Sequence, residues 1–123
     1  MRQLFQPGGS KLCGQTCVAM IADVSIEKAI ELVGHGHRTR TKEIVKALRK
    51  AGVECKGGLV KISSKNRLPE TCLVNVLYDK NHRHWIVKND GVFYNPDPGE
   101  GGRMTSFLEI SRRGEENGDS IQV

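Results

Sequence analysis

A change of hydrophobic period near Gly52 constrains the fold of this chain more than any other feature of its sequence. Before Gly52, apolar residues recur at the spacing of one face of an α-helix. After it, short apolar runs are separated by glycine-containing turns, as in β-strands. Helices followed by strands predict an α+β fold, in which N-terminal helices pack on a C-terminal antiparallel β-sheet. The chain of 123 residues is one domain's worth, and we expect that domain to span residues 1–113.

Three helices are predicted in the first half. The first spans residues 13 to about 22, the second spans residues 26–33, and the third extends through residue 50. Ser25 is the expected N-cap of the second helix, and Thr39 or Thr41 that of the third. Gly34 and Gly52 are expected to end these two helices, because glycine adopts the left-handed backbone conformation that follows a helix C-terminus.

The second half is predicted to form short strands, at residues 53–55, 59–62, 71–78, 84–88 and 92–94. The sequence Asn89-Asp90-Gly91 between the last two is a strong hairpin signal. Thr105 to about Ser111 is predicted to form a last short helix, and the acidic segment 114–123 is expected to be disordered.

The four cysteines of the chain are predicted to be free thiols. The N-terminus carries no signal-peptide pattern and no segment approaches membrane-spanning length, so we expect a reducing, cytoplasmic environment and no membrane partner. The net charge of +5 favours acidic partners only modestly, and no nucleic acid is expected to bind.

Cys13 is the candidate nucleophile because it opens an apolar helix after a glycine-containing loop. The free N–H groups and dipole of a helix N-terminus stabilise a thiolate, and the backbone N–H of the cysteine can help hold an oxyanion. Cys17, one helical turn further on, is expected to be a buried apolar residue. Cys55 and Cys72 lie in strand-like contexts and receive the same interpretation.

His84 is the candidate general base, since it begins a strand that can project the imidazole over a sheet edge toward a helix terminus. His82 is its alternate, but it lies in a polar turn. Asp97 follows the hairpin and would orient the imidazole and stabilise its protonated form. Asn95 is the alternate for that role, because an amide can perform the same task.

Three segments resemble the papain-like cysteine peptidases that remove double-glycine leaders from bacteriocins. CGQTCVAMI at residues 13–21 is similar to the active-site helix of that family. HWIV at 84–87 and YNPDPG at 94–99 resemble its histidine strand and its aspartate-proline turn, and residues 36–52 resemble the helical stretch between them. The likeness covers most of residues 4–100, and its first motif is the most specific.

The resemblance implies a papain-like fold with Cys13 as nucleophile, His84 as general base and acid, and Asp97 as orienting residue. Its expected reaction is hydrolysis of a peptide or protein substrate through an acyl-enzyme, without a metal or cofactor. The family has a glutamine six residues before its cysteine as an oxyanion donor, where this chain has Pro7. Gln6 is the expected donor here, provided that the loop after it absorbs one extra residue.

Three other interpretations remain open from the sequence. Cys13 and Cys17 with His82 and His84 could supply four zinc ligands. The second and third helices, with their basic residues, superficially resemble a helix-turn-helix module. A degenerate papain-like protein that binds without cutting would keep the fold and lose the chemistry.

Overall fold

The structure is a computed structural model that describes residues 1–63, 67–79, 82–98 and 102–111. Three α-helices are followed by a five-stranded antiparallel β-sheet, which confirms the predicted α+β class. Segment 114–123, with its predicted disorder, lies outside the described residues. Among the residues that the structure describes, no helix is long and apolar enough to cross a membrane.

The helices lie at Cys13–Ala22 (α1), Ile26–Val33 (α2) and Thr41–Lys50 (α3). Ser25 caps α2 as predicted, because its side-chain oxygen accepts a hydrogen bond of 3.0 Å from the Lys28 N–H. Gly34 ends α2 with a φ of 101°, a conformation that only glycine adopts without strain.

The start of α3 differs from the prediction. The N-cap is Arg40 rather than Thr39 or Thr41. The Glu43 carboxylate accepts a hydrogen bond of 2.8 Å from the Arg40 N–H. The backbone at the start of the helix is therefore bonded by an acidic side chain of the first turn, rather than by a threonine hydroxyl.

The strands lie at Glu54–Lys61 (β1), Thr71–Leu77 (β2), Arg83–Asn89 (β3), Val92–Tyr94 (β4) and Arg103–Ser111 (β5). Their order across the sheet is β1-β5-β2-β3-β4, and every neighbouring pair is antiparallel. The predicted hairpin joins β3 to β4, with positive φ at both turn residues, 54° at Asp90 and 82° at Gly91. Two central residues with positive φ are the mark of a type I′ turn, whose twist matches that of paired strands.

Two predictions in the second half were wrong. Residues 105–111 form strand β5 and not a helix, because this segment lies between β1 and β2 and hydrogen-bonds to both. The strands predicted at 53–55 and 59–62 are one strand, β1. Its pairing register shifts between Lys56 and Val60, where Gly57 has a φ of 72°, so the glycines form a bulge rather than a break.

The sheet buries apolar side chains on both faces. One cluster lies between the helices and the sheet and includes Val18, Leu48 and Leu73. A second, smaller cluster lies on the opposite face and includes Val74 and Phe107. All four cysteines are free thiols, as predicted. The helical half and the sheet half therefore share one core, and the candidate site lies where they meet.

Candidate active site

Cys13 is the first residue of α1, as the sequence predicts. The N-cap is Leu12, whose apolar side chain cannot accept a hydrogen bond, and the first N–H bonded within the helix is that of Thr16, to the Leu12 carbonyl at 2.8 Å. The N–H groups of the first turn therefore have no partner inside the helix. Of these groups, the N–H of Gly14 hydrogen-bonds the Cys13 sulfur, and its partial positive charge favours a thiolate.

The backbone of Trp85 connects α1 to β3. Its carbonyl accepts a hydrogen bond of 3.3 Å from the thiol of Cys17, and its N–H hydrogen-bonds the sulfur of Cys13. Both groups are available because β4, among the described residues, pairs with β3 only from Val87 to Asn89. The short β4 thus leaves the beginning of the β3 edge open to α1. Cys17 is fully buried at this contact, as predicted.

His84 lies between the Cys13 thiol and the Asn95 side chain. Its Nε2 is 2.7 Å from Asn95 Oδ1, and its side chain hydrogen-bonds Cys13. The orientation of the asparagine amide follows from the chain itself, because Asn95 Oδ1 also accepts the Asp97 N–H at 2.9 Å. An oxygen there requires His84 Nε2 to carry the proton, which leaves Nδ1 for the thiol.

The electrostatics of the pair favour its charged form. Burial raises the pKa of the Cys13 thiol, but the hydrogen bonds from His84 and the Trp85 backbone outweigh it and leave the pKa below its ordinary value. Burial lowers the pKa of His84, whereas its hydrogen bonds to Cys13 and Asn95 and the nearby Asp97 charge raise it, with a net increase. Both shifts favour a thiolate beside an imidazolium.

The other three cysteines behave in the opposite way. Burial raises the pKa of Cys17 well above its ordinary value, and the charge of Cys13 adds to the increase. Burial also raises the pKa of Cys55 and of Cys72, each to about 11. Cys13 is therefore the one cysteine of the four whose surroundings favour the reactive form.

Asp97 does not make the contact expected of it. The hydrogen bond to the imidazole comes from Asn95, the alternate, and the Asp97 backbone N–H donates to the same Asn95 Oδ1. The carboxylate still acts on His84 through its charge. Asp97 thus contributes in two ways, by fixing the Asn95 amide and by favouring the imidazolium.

Gln6 lies in the groove beside Cys13 because the following loop absorbs the extra residue. Ser10 N–H donates to the Pro7 carbonyl at 3.1 Å and closes a turn in which Gly9 has a φ of 72°. The side-chain nitrogen of Gln6 donates to the Ser10 carbonyl at 2.9 Å, and its Oε1 is buried with no partner among the described residues. One of its N–H hydrogens is therefore committed to the loop.

The groove around Cys13 has a volume of about 710 Å³. Residues 38–41, which lead into α3, form one part of its lining, here called the helical wall. Residues of β2 and of the connection to the start of β3 form another part, here called the sheet wall, with Asn75, Tyr78 and Arg83. Gln6 and Lys11 line the end that the N-terminal loop forms. Sequence reasoning missed the sheet wall, since only the pairing of β2 with β3 brings it to the cysteine.

Gln15 and Gly14 hold the helical wall in place. The amide nitrogen of the fully buried Gln15 donates to the carbonyls of His35 and His37, each at 2.9 Å. Gly14 lies directly against the wall, because a Cβ there would collide with Thr39 Oγ1. The missing side chain therefore makes room for the wall itself.

The zinc interpretation does not fit these positions. The thiol of Cys17 faces a backbone carbonyl, and His82 Nδ1 is 2.6 Å from the carboxylate of Asp79 in an exposed turn. No group of three or more potential ligands occurs within the described part of the chain. His82 is exposed, as its polar turn predicted, and its ring stacks on that of Tyr78 at 5.7 Å.

A scan against models of protein families finds none that matches this chain, and a search of the curated proteins finds no relative. The geometry of the site therefore carries the functional argument alone.

Proposed function

We propose that this protein is a papain-like cysteine hydrolase that cleaves an amide bond of a peptide or protein through an acyl-enzyme. The observation that carries the proposal is the chain of contacts from Cys13 to His84 to Asn95 at the N-terminus of a helix. A cysteine beside a base, with the base oriented by a third group, is the arrangement that activates a nucleophile. The order of the three residues along the chain is that of the papain-like enzymes it resembles.

The first half of the proposed reaction forms the acyl-enzyme. The Cys13 thiolate attacks the carbonyl carbon, and a C–S bond forms while the carbonyl oxygen takes the negative charge. The backbone N–H of Cys13 and the Gln6 amide, whose nitrogen donates to the Ser10 carbonyl and hydroxyl in this structure, are the proposed oxyanion donors. The imidazolium of His84 then gives its Nδ1 proton to the amine nitrogen, and the C–N bond breaks.

The second half releases the acid. Neutral His84 takes a proton from a water molecule, whose oxygen attacks the thioester carbon, and the thiolate leaves with the electrons of the C–S bond. Asn95 holds Nε2–H throughout, so Nδ1 stays directed at the sulfur. The site also requires a reduced thiol, which fits the proposed cytoplasmic location.

An activated ester tests the proposal without knowledge of the natural substrate. The proposal predicts that p-nitrophenyl acetate gives a burst of one p-nitrophenolate per chain, followed by turnover, with the acetyl group found on Cys13 by mass spectrometry. His84→Ala should abolish both phases, whereas Cys55→Ser should keep them. Acetylation spread over several cysteines, or turnover that survives His84→Ala, would contradict the proposed hydrolase activity.

A degenerate, binding-only protein is the second candidate. The observation that favours it is the hydrogen bond from the Gln6 amide to Ser10, which uses part of the oxyanion donor. It predicts acylation of Cys13 without turnover, so the phase after the burst separates the two candidates.

A further inference from the structure

We propose that the groove beside Cys13 selects acidic peptide segments, and that Arg83 is the residue that binds their carboxylates. The inference rests on the proposed function for the kind of ligand, a peptide, and on the charges of the groove for its chemistry. Nothing in the reaction itself requires a charged substrate, so the two proposals can fail separately.

The groove carries an excess of positive charge. Besides its histidines, the described lining contains four basic residues from three separate parts of the chain: Lys11, Arg38, Arg40 and Arg83. Within the described part of the chain, Asp97 is the one carboxylate that lines the groove, and its charge already acts on the imidazole of His84. None of the four cations forms an ion pair with a described residue. The charge of Arg40 also acts on the carboxylate of Glu43, whereas those of Lys11, Arg38 and Arg83 are available to a ligand.

Arg83 is the best positioned of the four. It precedes His84 in β3, and one of its guanidinium nitrogens, Nη1, donates to Asn75 Oδ1 at 3.0 Å. Asn75 lies in β2 and is only 6% exposed, so the acceptor is a fixed part of the sheet wall. A guanidinium held at one nitrogen keeps its other N–H groups in a fork that matches both oxygens of a carboxylate.

Arg38 and Arg40 line the same groove from the helical wall, and Lys11 lines it from the N-terminal loop. Cations from the helical wall, the sheet wall and the N-terminal loop therefore give the groove that contains Cys13 a positive potential. A peptide with Asp or Glu side chains on either side of the bond to be cleaved complements this arrangement. A peptide is favoured over a nucleic acid because the charges line the groove that contains the Cys13 thiol. A thiol reacts with acyl carbons, which nucleic acids lack.

The test measures binding to the Cys13→Ala protein, in which no chemistry takes place. The probes are two short fluorescent peptides that differ only in having Glu or Gln at every polar position. The Glu peptide is expected to bind about tenfold more tightly at low salt, and the difference should shrink as salt is raised. Equal binding of the two peptides would overturn the inference.

Variants of Arg83 give the matched comparison. Arg83→Gln should remove most of the preference for the Glu peptide, and Arg83→Lys, which keeps the charge but not the fork, should restore part of it. Arg67→Gln removes an equal charge from an exposed position outside the groove and should leave the preference unchanged. If Arg67→Gln has the same effect as Arg83→Gln, net charge and not the groove is responsible.

A third measurement addresses nucleic acid. A single-stranded oligonucleotide of the same charge as the Glu peptide should compete more weakly than the unlabelled peptide. Tighter binding of the oligonucleotide at the same groove would overturn the assignment to peptides. Failure of the esterase test would instead contradict the proposed function and leave this binding preference standing.

Discussion

Asn95 orients His84 with an oxygen whose position is fixed by the backbone two residues later. Oδ1 accepts from the imidazole and from the Asp97 N–H, and the Asn95 carbonyl accepts from the side chain of Gln3 at 2.9 Å. The asparagine is thus held on both sides. At the scale of single residues, the orientation of the base depends on this short turn more than on any charge.

The relative contributions of Asn95 and Asp97 to the orientation of His84 can be measured. Asn95→Ala should lower kcat toward the activated ester by about a hundredfold, because the imidazole loses the partner that fixes its tautomer. Asp97→Asn keeps the N–H that fixes Asn95 and should have a much smaller effect at neutral pH. A larger loss from Asp97→Asn than from Asn95→Ala would restore Asp97 to the orienting role.

Asp97→Asn should instead change the pH dependence. The carboxylate charge raises the pKa of His84, so its removal lowers that pKa. The activity requires the imidazolium, which is lost as pH rises through this pKa. The alkaline limb of the pH–rate profile is therefore expected to move to lower pH in Asp97→Asn, while the acid limb, which belongs to the Cys13 thiol, moves less. An unchanged alkaline limb would contradict the assigned charge effect.

The choice between these two residues shows which parts of the candidate site can be predicted from the sequence. Cys13 and His84 could be predicted because a helix start and a strand start mark them. Asp97 and Asn95 lie in one turn, and the sequence does not show which side chain faces inward. Only the path of the chain through Pro96 decides it, and that path depends on contacts with the distant residues Gln3 and Gln6.

At the scale of elements, the close approach of α1 to the helical wall depends on Gly14. A methyl group there would collide with Thr39 Oγ1. Gly14→Ala is expected to lower the free energy of unfolding by about 1–3 kcal/mol, a typical cost of overpacking, as measured by urea denaturation. Gly8→Ala is the matched control, because a Cβ at Gly8 has nothing within 4 Å.

A second substitution checks that explanation. Thr39→Ala in the Gly14→Ala background removes the oxygen that collides and should recover part of the lost stability. If Gly14→Ala lowers the free energy of unfolding no more than Gly8→Ala does, the helical wall adjusts freely and Gly14 has some other role.

Elements were predictable where their signals are local. The caps of α2 and the hairpin between β3 and β4 depend on neighbouring residues and were predicted correctly. Strand β5 was predicted to be a helix, and its consecutive buried residues Phe107 and Leu108 do not show the alternation of a strand with one buried face. In the structure they pack on opposite faces of a sheet that is covered on both sides, which no local pattern reveals.

At the scale of the whole molecule, the site exists only where the helical half meets the sheet half. Cys13 comes from the first helix and His84 from a strand some seventy residues later, and the backbone of Trp85 bridges them. The contact between Cys13 and His84 helps to lower the pKa of the thiol and to raise that of the imidazole. This contact is therefore a property of the folded chain. The enhanced reactivity of Cys13 should disappear in urea together with the folded structure.

The most direct test is the pH dependence of alkylation at Cys13 by iodoacetamide, a neutral reagent, followed residue by residue by mass spectrometry. Cys13 should react at a pH well below that needed by Cys55, whose pKa burial raises to about 11. His84→Ala should move the Cys13 profile to higher pH and leave Cys55 unchanged. A Cys13 profile that coincides with that of an ordinary thiol, or that ignores His84→Ala, would contradict the thiolate–imidazolium pair on which the whole account depends.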